Sequence, residues 1–117
     1  MIVLVAEDDP RNRDMLVRRL IRRNYTVMEA ENGLQAIEQV KRQKPDIILM
    51  DIAMPIVNGW EALEKIRFLY PEVPIIILSA HSMIDDQRRA ITAGAAAYLS
   101  KPIDFERLLN TIEQYRS

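Results

Sequence analysis

Chemically reactive side chains follow four of the short apolar runs in this sequence. The acidic pair Glu7-Asp8 follows the first run, Asp51 the third and Lys101 the fifth, while Ser79 ends the fourth. Carboxylates, a hydroxyl and an ammonium group together are typical of phosphoryl transfer, where catalysis is mostly positioning and neutralisation of the phosphoryl oxygens. The chain has no cysteine, which excludes disulfides, thiolate metal sites and cysteine nucleophiles.

Carboxylates brought into one pocket need a cation to neutralise them. Two unit charges 4 Å apart repel by about 4 kcal/mol at an effective dielectric of about 20. Oxygen ligands of this kind suit Mg²⁺, which keeps several waters and accepts phosphate oxygens. Lys101 adds a point charge for an anion. Asp51 is the expected acceptor, because no histidine or cysteine lies beside it and carboxylates form aspartyl phosphates.

Five short apolar runs alternate with segments of helical periodicity. Three of them, residues 2–6, 47–50 and 75–78, are apolar at almost every position, which is typical of strands buried on both faces of a parallel sheet. The predicted strands are Ile2–Ala6, Tyr25–Ala30, Asp46–Met50, Ile75–Ser79 and Ala96–Leu99.

Helical periodicity predicts helices over Asn12–Arg23 and Leu34–Gln43, and apolar stripes predict three more further along the chain. Asp9-Pro10 is typical of an N-cap followed by a first turn, Gly94 is expected to close the fourth helix, and Asp104 to cap the fifth. The predicted order of elements is five βα units.

Five βα units in 117 residues favour an open sheet over a barrel, which needs eight units and about 250 residues. We predict one α/β domain over residues 1–117, with a doubly wound, flavodoxin-like parallel sheet of strand order 2-1-3-4-5. Sites in such sheets lie beyond the carboxyl ends of the strands, where the winding direction reverses. Glu7 or Asp8 should therefore face Asp51.

The composition is that of an ordinary globular domain. Half of the residues are hydrophobic (49%), 28% are charged, and the net charge is −1, so we expect no general attraction to nucleic acid or anionic lipid. The first apolar run reaches Glu7 after six residues, which is too short for a signal peptide or for a membrane span of about 20 residues. We expect a cytoplasmic chain without direct nucleic-acid or membrane partners.

With these motifs in place, the chain resembles the response regulator receiver family of two-component systems, in particular its chemotaxis regulators, over essentially its whole length. VAEDD resembles the family's acidic pair, ILMDIAMPIVNG its phosphoacceptor segment, ILSA its Ser/Thr-Ala segment, and YLSKPID its Lys-Pro segment. The resemblance implies that a histidine kinase or a histidine phosphotransfer domain phosphorylates Asp51 in a Mg²⁺-dependent step. It implies a signalling switch that assists its own phosphorylation and dephosphorylation, not an enzyme.

The resemblance also implies a role for each matching residue at the metal site. Asp51 would be the phosphoacceptor and a metal ligand, and Asp8 the second direct ligand. Glu7 would hold the metal through water, and the backbone carbonyl of Ala53 would complete the protein ligands. Mn²⁺ is the alternative ion.

Further roles concern the phosphoryl group and the switch. Ser79 would bond a phosphoryl oxygen, Lys101 would pair with it through a loop containing a cis Lys101-Pro102 bond, and Tyr98 would turn inward when Ser79 moves. Ala53 and His81 occupy the positions that tune phosphate lifetime in the family. Ala53 has no side chain that could hold an attacking water, which suggests slow dephosphorylation. His81 could have the opposite effect, so the lifetime of the phosphoryl group stays open.

Six arginines make the first helix basic; they are Arg11, Arg13, Arg18, Arg19, Arg22 and Arg23. A solvated helix face is the ordinary interpretation of such a pattern. The resemblance offers a second one, because this helix often docks the kinase in the family.

Three other functions fit parts of the sequence. A small Mg²⁺-dependent phosphatase of the dehalogenase style also uses an aspartate nucleophile, but it needs a second aspartate where Ala53 stands. A flavodoxin-like redox carrier needs a phosphate-binding loop rich in Ser, Thr and Gly after the first strand. An unphosphorylated interaction module is disfavoured by the complete set of reactive residues.

The sequence leaves four questions open. It does not identify the cognate kinase or the downstream target. It also does not decide between a monomer and a phosphorylation-dependent dimer, or between a stand-alone chain and a piece of a longer one.

Overall fold

Strands and helices alternate along the chain in the computed structural model, which describes residues 1–80 and 84–116. The described elements are β1 Ile2–Ala6, α1 Pro10–Arg22, β2 Thr26–Ala30, α2 Gly33–Arg42, β3 Ile47–Asp51, α3 Gly59–Leu69, β4 Ile75–Ser79, α4 Ile84–Thr92, β5 Ala97–Ser100 and α5 Phe105–Gln114.

All described strands form one parallel sheet of order β2-β1-β3-β4-β5. Ala6 lies opposite Met50 in the register of β1 and β3, and Ser79 lies opposite Ser100 in that of β4 and β5. The predicted fold class and strand order are therefore confirmed. The carboxyl ends of β1, β3, β4 and β5 meet at one edge of the sheet.

Helices cover both faces of the sheet, because side chains alternate in direction along each strand. On one face α2, α3 and α4 pack on one core layer, and on the other α1 and α5 pack on a second. The first layer receives Leu4, Ile48 and Ile77, and the second receives Val5 and Leu49. Central strands buried on both faces explain the nearly continuous apolar runs of the sequence.

β1 and β4 have the predicted bounds, whereas the ends of β2, β3 and β5 differ from the predicted ones by one residue. β2 begins at Thr26 because the backbone N–H of Tyr25 still donates to the carbonyl of Leu20, at 3.2 Å. β3 begins after Asp46, whose carboxylate accepts a hydrogen bond from the backbone at the start of β1. β3 extends to include Asp51, and β5 is shifted by one residue in the same direction, to Ala97–Ser100. Asp51 therefore lies on the strand itself.

The predicted capping residues lie at helix ends, although α1 and α2 begin two and one residues before the predicted positions and each ends one residue earlier. The carboxylate of Asp9 accepts the N–H groups of the first turn of α1, and that of Asp104 accepts from Arg107 in α5. Gly94 follows α4 with φ at 97°, a left-handed conformation that glycine adopts without steric cost. No helix within 1–80 and 84–116 is long and apolar enough to cross a membrane.

Ile56, in the loop between β3 and α3, is expected to store backbone strain. Its φ is 69° and its side chain is 75% exposed, so a β-branched residue occupies the left-handed region with little burial to compensate. Left-handed backbone costs about 1–2 kcal/mol for an L-residue, and glycine loses up to about 1 kcal/mol in extra chain entropy. Ile56→Gly should raise the free energy of unfolding in urea by about 0.5–1 kcal/mol.

Ile56→Val is the matched control, because valine keeps the β-branch and the strain. It should leave the free energy of unfolding nearly unchanged. Equal stabilisation by both substitutions would show that side-chain exposure, and not backbone strain, is the source of the effect.

Candidate functional site

Three carboxylates converge at the edge where β1 and β3 end. Oxygen atoms of Glu7, Asp8 and Asp51 all lie within 4.8 Å of one another. Glu7 is 1% exposed and Asp51 4%, whereas Asp8 is open to solvent. The predicted meeting of the acidic pair and Asp51 is thus observed, in a pocket that opens at Asp8.

Lys101 links two of these acids from the loop after β5. Its Nζ lies 2.8 Å from Oε1 of Glu7 and 3.4 Å from Oδ2 of Asp51. Its backbone N–H donates to the carbonyl of Ser79 at 2.7 Å, and the Lys101-Pro102 bond is cis, as expected. The loop therefore holds the ammonium group between the ends of β1 and β3.

The charges of this site are incompletely compensated. Burial raises the pKa of Glu7, and hydrogen bonding to Asp51 acts in the same direction, outweighing the opposing effect of Lys101. Burial works to lower the pKa of Lys101, but its hydrogen bond to Glu7 and the charges of both acids raise it. Three carboxylates and one ammonium leave a formal charge of −2, equal and opposite to that of a divalent cation.

The donor set fits a hard divalent ion. Carboxylate oxygens are the ligands that Mg²⁺ and Mn²⁺ prefer, and a partly exposed site leaves room for the waters that Mg²⁺ retains. The excess of negative charge at buried positions gives a physical reason for a cation there. We regard Glu7, Asp8 and Asp51 as a candidate site for such an ion.

The other predicted site residues lie around this cluster. Ser79 is 3% exposed at the end of β4, the strand next to β3. Ala53 is exposed, and its backbone N–H donates to Oδ1 of Asp51 at 3.2 Å. Tyr98 on β5 is half-buried against the core layer of α2 to α4, and His81 lies outside the described residues. The roles expected for these residues stay predictions.

A family comparison agrees with this site. The family model described as "Response regulator receiver domain" matches residues 3–113. The chain belongs to the response regulator receiver family. It is therefore a receiver domain of a two-component response regulator, whose acidic pocket fits the phosphoacceptor site of the family.

Known proteins similar to this receiver domain include transcriptional regulators. It is 38% identical over 112 residues to transcriptional regulatory protein ZraR of Klebsiella oxytoca, and 35% identical over 112 residues to response regulator MprA of Mycobacterium leprae. These alignments cover 96% of this chain but only 25% and 49% of the two relatives. The chain thus spans between a quarter and a half of the length of these relatives.

A solved structure is similar over the whole fold. The response regulator TrrA of Thermotoga maritima, in complex with Mg²⁺-BeF, matches with a TM-score of 0.89 and 28% identity, covering 98% of both chains.

The start of α3 packs closely against the end of β3 in this receiver domain. A Cβ atom on Gly59 would lie 2.4 Å from the carbonyl oxygen of Asp51 and 2.7 Å from Cα of Ile52. The N–H of Gly59 donates to the carbonyl of Ile52 at 2.9 Å. Only glycine allows α3 to begin this close to Asp51, which explains the glycine of the Asn-Gly pair at the start of the helix.

Sequence reasoning missed the position of Arg13. A solvated face was the ordinary interpretation of the arginines of α1, but the side chain of Arg13 is only 14% exposed, against 71% for Arg18. Its Nη1 donates to the backbone carbonyl of Glu7 at 2.9 Å. In a row of similar arginines, no sequence signal distinguishes the one that turns toward the site.

Proposed function

We propose that Asp51 is the phosphoacceptor of this receiver domain and that its phosphorylation depends on Mg²⁺. The observation that carries the proposal is the convergence of Glu7, Asp8 and Asp51, with Lys101 in contact with two of them. Asp51 lies at the end of β3 with 4% exposure, where a nucleophile is held in place by the sheet.

The proposed reaction transfers a phosphoryl group from a phosphohistidine. A carboxylate oxygen of Asp51 attacks phosphorus, the P–N bond breaks, and its electron pair leaves with the imidazole nitrogen. Mg²⁺ held by the acidic cluster would neutralise negative charge on the phosphoryl oxygens. The ammonium group of Lys101 already lies 3.4 Å from the carboxylate of Asp51. After transfer it would pair with a phosphoryl oxygen instead, and the hydroxyl of Ser79 would donate a hydrogen bond to a second phosphoryl oxygen.

The phosphorylated state would change the output face. Ser79 and Tyr98 lie on neighbouring strands, β4 and β5, so movement of Ser79 toward the phosphoryl group would favour the inward position of Tyr98. This shifts an equilibrium between two states and remodels the surface formed by α4, β5 and α5. His81 and Ala53 would set how long the phosphoryl group lasts.

A receiver domain implies a histidine kinase as partner, and the surface beside Asp51 suits such a donor. A groove of about 450 Å³ runs past Glu7 and Lys101, with apolar walls that include Met15, Leu16 and Ile103. Met15 is 44% exposed on α1. We propose that a kinase or phosphotransfer domain inserts its histidine at this groove.

Mg²⁺ is the proposed cofactor, with Mn²⁺ as its substitute. Asp8 and Asp51 would bind it directly, Glu7 through water, and Ala53 through its carbonyl. The similar TrrA structure, which is a complex with Mg²⁺-BeF, supports this assignment.

Phosphorylation by a small donor tests the proposal without a kinase. The protein is incubated with phosphoramidate, with and without Mg²⁺, and its intact mass is measured. We expect one phosphoryl group per chain, only when Mg²⁺ is present. Sustained release of phosphate from small esters would instead identify a phosphatase. No adduct, together with less than about 1.4 kcal/mol of stabilisation by Mg²⁺ at ten times its dissociation constant, would indicate a passive docking module.

A further inference from the structure

The guanidinium group of Arg13 joins α1 to the ends of two strands. Its Nη1 donates to the carbonyl of Glu7 at 2.9 Å, its Nε lies 3.3 Å from Glu29, and its Nη2 lies 3.5 Å from Glu31. The three nitrogens of one planar group thus each face a different acceptor, which fixes the orientation of the plane.

The carbonyl that Arg13 contacts belongs to the peptide bond between Glu7 and Asp8. The orientation of that peptide plane determines where both side chains point, and both supply oxygens to the acidic cluster with Asp51. The Glu7 N–H is fixed as well, since it donates to the Ala30 carbonyl at 3.0 Å. A backbone hydrogen bond thus fixes the peptide that precedes Glu7, and the hydrogen bond from Arg13 fixes the carbonyl of the peptide that follows it.

The charge of Arg13 has other partners. Glu29 and Glu31 balance it, although both are largely exposed, at 52% and 62%. Because water screens these exposed carboxylates, the nearby guanidinium charge would still repel a divalent cation in the cluster. The charge of Arg13 would therefore lower the affinity of the cluster for a cation, whereas its effect on the orientation of the carboxylates would raise it.

We propose that Arg13 is a positioning residue of the Mg²⁺ site, which keeps the Glu7-Asp8 peptide in the orientation that places both carboxylates beside Asp51. The inference rests on the proposed function of this cluster as a Mg²⁺ site. Residues that orient metal ligands typically contribute about 10–100-fold to metal affinity, so loss of Arg13 should weaken Mg²⁺ binding.

Calorimetric titration with Mg²⁺ alone tests this role. We expect Arg13→Met to raise the dissociation constant of Mg²⁺ by about tenfold. Arg13→Lys keeps the charge but not the planar fork, so most of the loss should persist. Arg18→Met is the matched control, because Arg18 is 71% exposed and pairs with Asp14 in its own helix; its dissociation constant should equal that of the wild type.

Other outcomes would overturn the inference. Tighter Mg²⁺ binding by Arg13→Met would show that its charge, and not its position, acts on the site. An unchanged dissociation constant with a lower unfolding free energy would reduce Arg13 to a structural link between α1 and β2. If Arg13→Met does not fold, the dissociation constant of Arg13→Lys decides alone. A wild type that binds no Mg²⁺ removes the proposed function itself, whereas a binding wild type with an unchanged variant removes only this inference.

Discussion

Replacing Asp51 by asparagine is expected to abolish Mg²⁺-dependent phosphorylation by small donors. An amide oxygen is a poor nucleophile and cannot form an acyl phosphate. Asp51 is also the one carboxylate of the described cluster that lies on β3. Intact-mass measurement after treatment with phosphoramidate should show the unmodified protein alone. An adduct on Asp51→Asn equal to that on the wild type would move the acceptor to another residue.

The same substitution should stabilise the protein in metal-free buffer. Asp51 faces two carboxylates and one ammonium group, so its removal relieves a net repulsion. We expect a gain of roughly 1–2 kcal/mol in the free energy of unfolding, below the about 4 kcal/mol of a bare pair at 4 Å. Mg²⁺ should stabilise the variant less than the wild type.

Asp9→Asn is the matched control, because it makes the same chemical change outside the cluster. Asp9 caps α1 through Oδ1, which accepts from Arg11 at 2.8 Å, and asparagine caps helices equally well. This variant should be phosphorylated normally and keep the stability of the wild type. A less stable Asp51→Asn protein would contradict the picture of crowded acids.

The second large effect is on the pH dependence of Mg²⁺ affinity. Burial raises the pKa of Glu7 above its ordinary value of 4.5. At a pH below the raised pKa, an ion that enters the cluster must displace a proton from Glu7. Below the raised pKa the affinity should fall by about tenfold for each pH unit. Above it the affinity should become constant. Titrations of the wild type and of Glu7→Gln over this range measure the effect.

Glu7→Gln should lose this dependence, whereas Glu38→Gln, at an exposed position of α2, should retain it. The same slope in Glu7→Gln and in the wild type would show that another group releases the proton. Affinity that is independent of pH in the wild type would mean that Glu7 is already ionised in the folded protein.

Without metal, the raised pKa of Glu7 also links stability to pH. The folded state binds the proton more tightly than the unfolded state, so its contribution is fully present below pH 4.5 and is lost as the pH rises through the folded pKa. Hydrogen bonds from Lys44 and Arg116 lower the pKa values of Glu72 and Glu113, respectively. The contribution of these exposed groups to stability has the opposite pH dependence, because it is lost as the pH falls. The difference between the wild type and Glu7→Gln isolates the contribution of Glu7.

The sheet was predictable from sequence because its signal is strong and local. Runs such as Ile75–Ser79 are apolar at almost every position, and each is buried on both faces of the sheet. Strand ends were less predictable, since they depend on partners distant in sequence. The backbone N–H of Tyr25 donates to Leu20 of α1, and Asp46, just before β3, accepts a hydrogen bond from Ile2 of β1 through its carboxylate.

The convergence of the acids also followed from sequence, because the strand order places the ends of β1 and β3 side by side. The contacts within the cluster did not follow. Lys101 contacts Glu7 more closely than Asp51, at 2.8 Å against 3.4 Å. This difference depends on the conformation of the loop after β5. The inward position of Arg13 depends on the carboxylates of Glu29 on β2 and Glu31 just after it.

Locating the phosphoryl group along the chain tests the central claim most directly. The protein is phosphorylated with phosphoramidate and Mg²⁺, reduced with borohydride, which converts an aspartyl phosphate into homoserine, and digested for peptide mass spectrometry. We predict homoserine at position 51 alone, and none when Mg²⁺ is omitted. Modification at another position, such as His81, or at Asp51 without any need for Mg²⁺, would contradict the account.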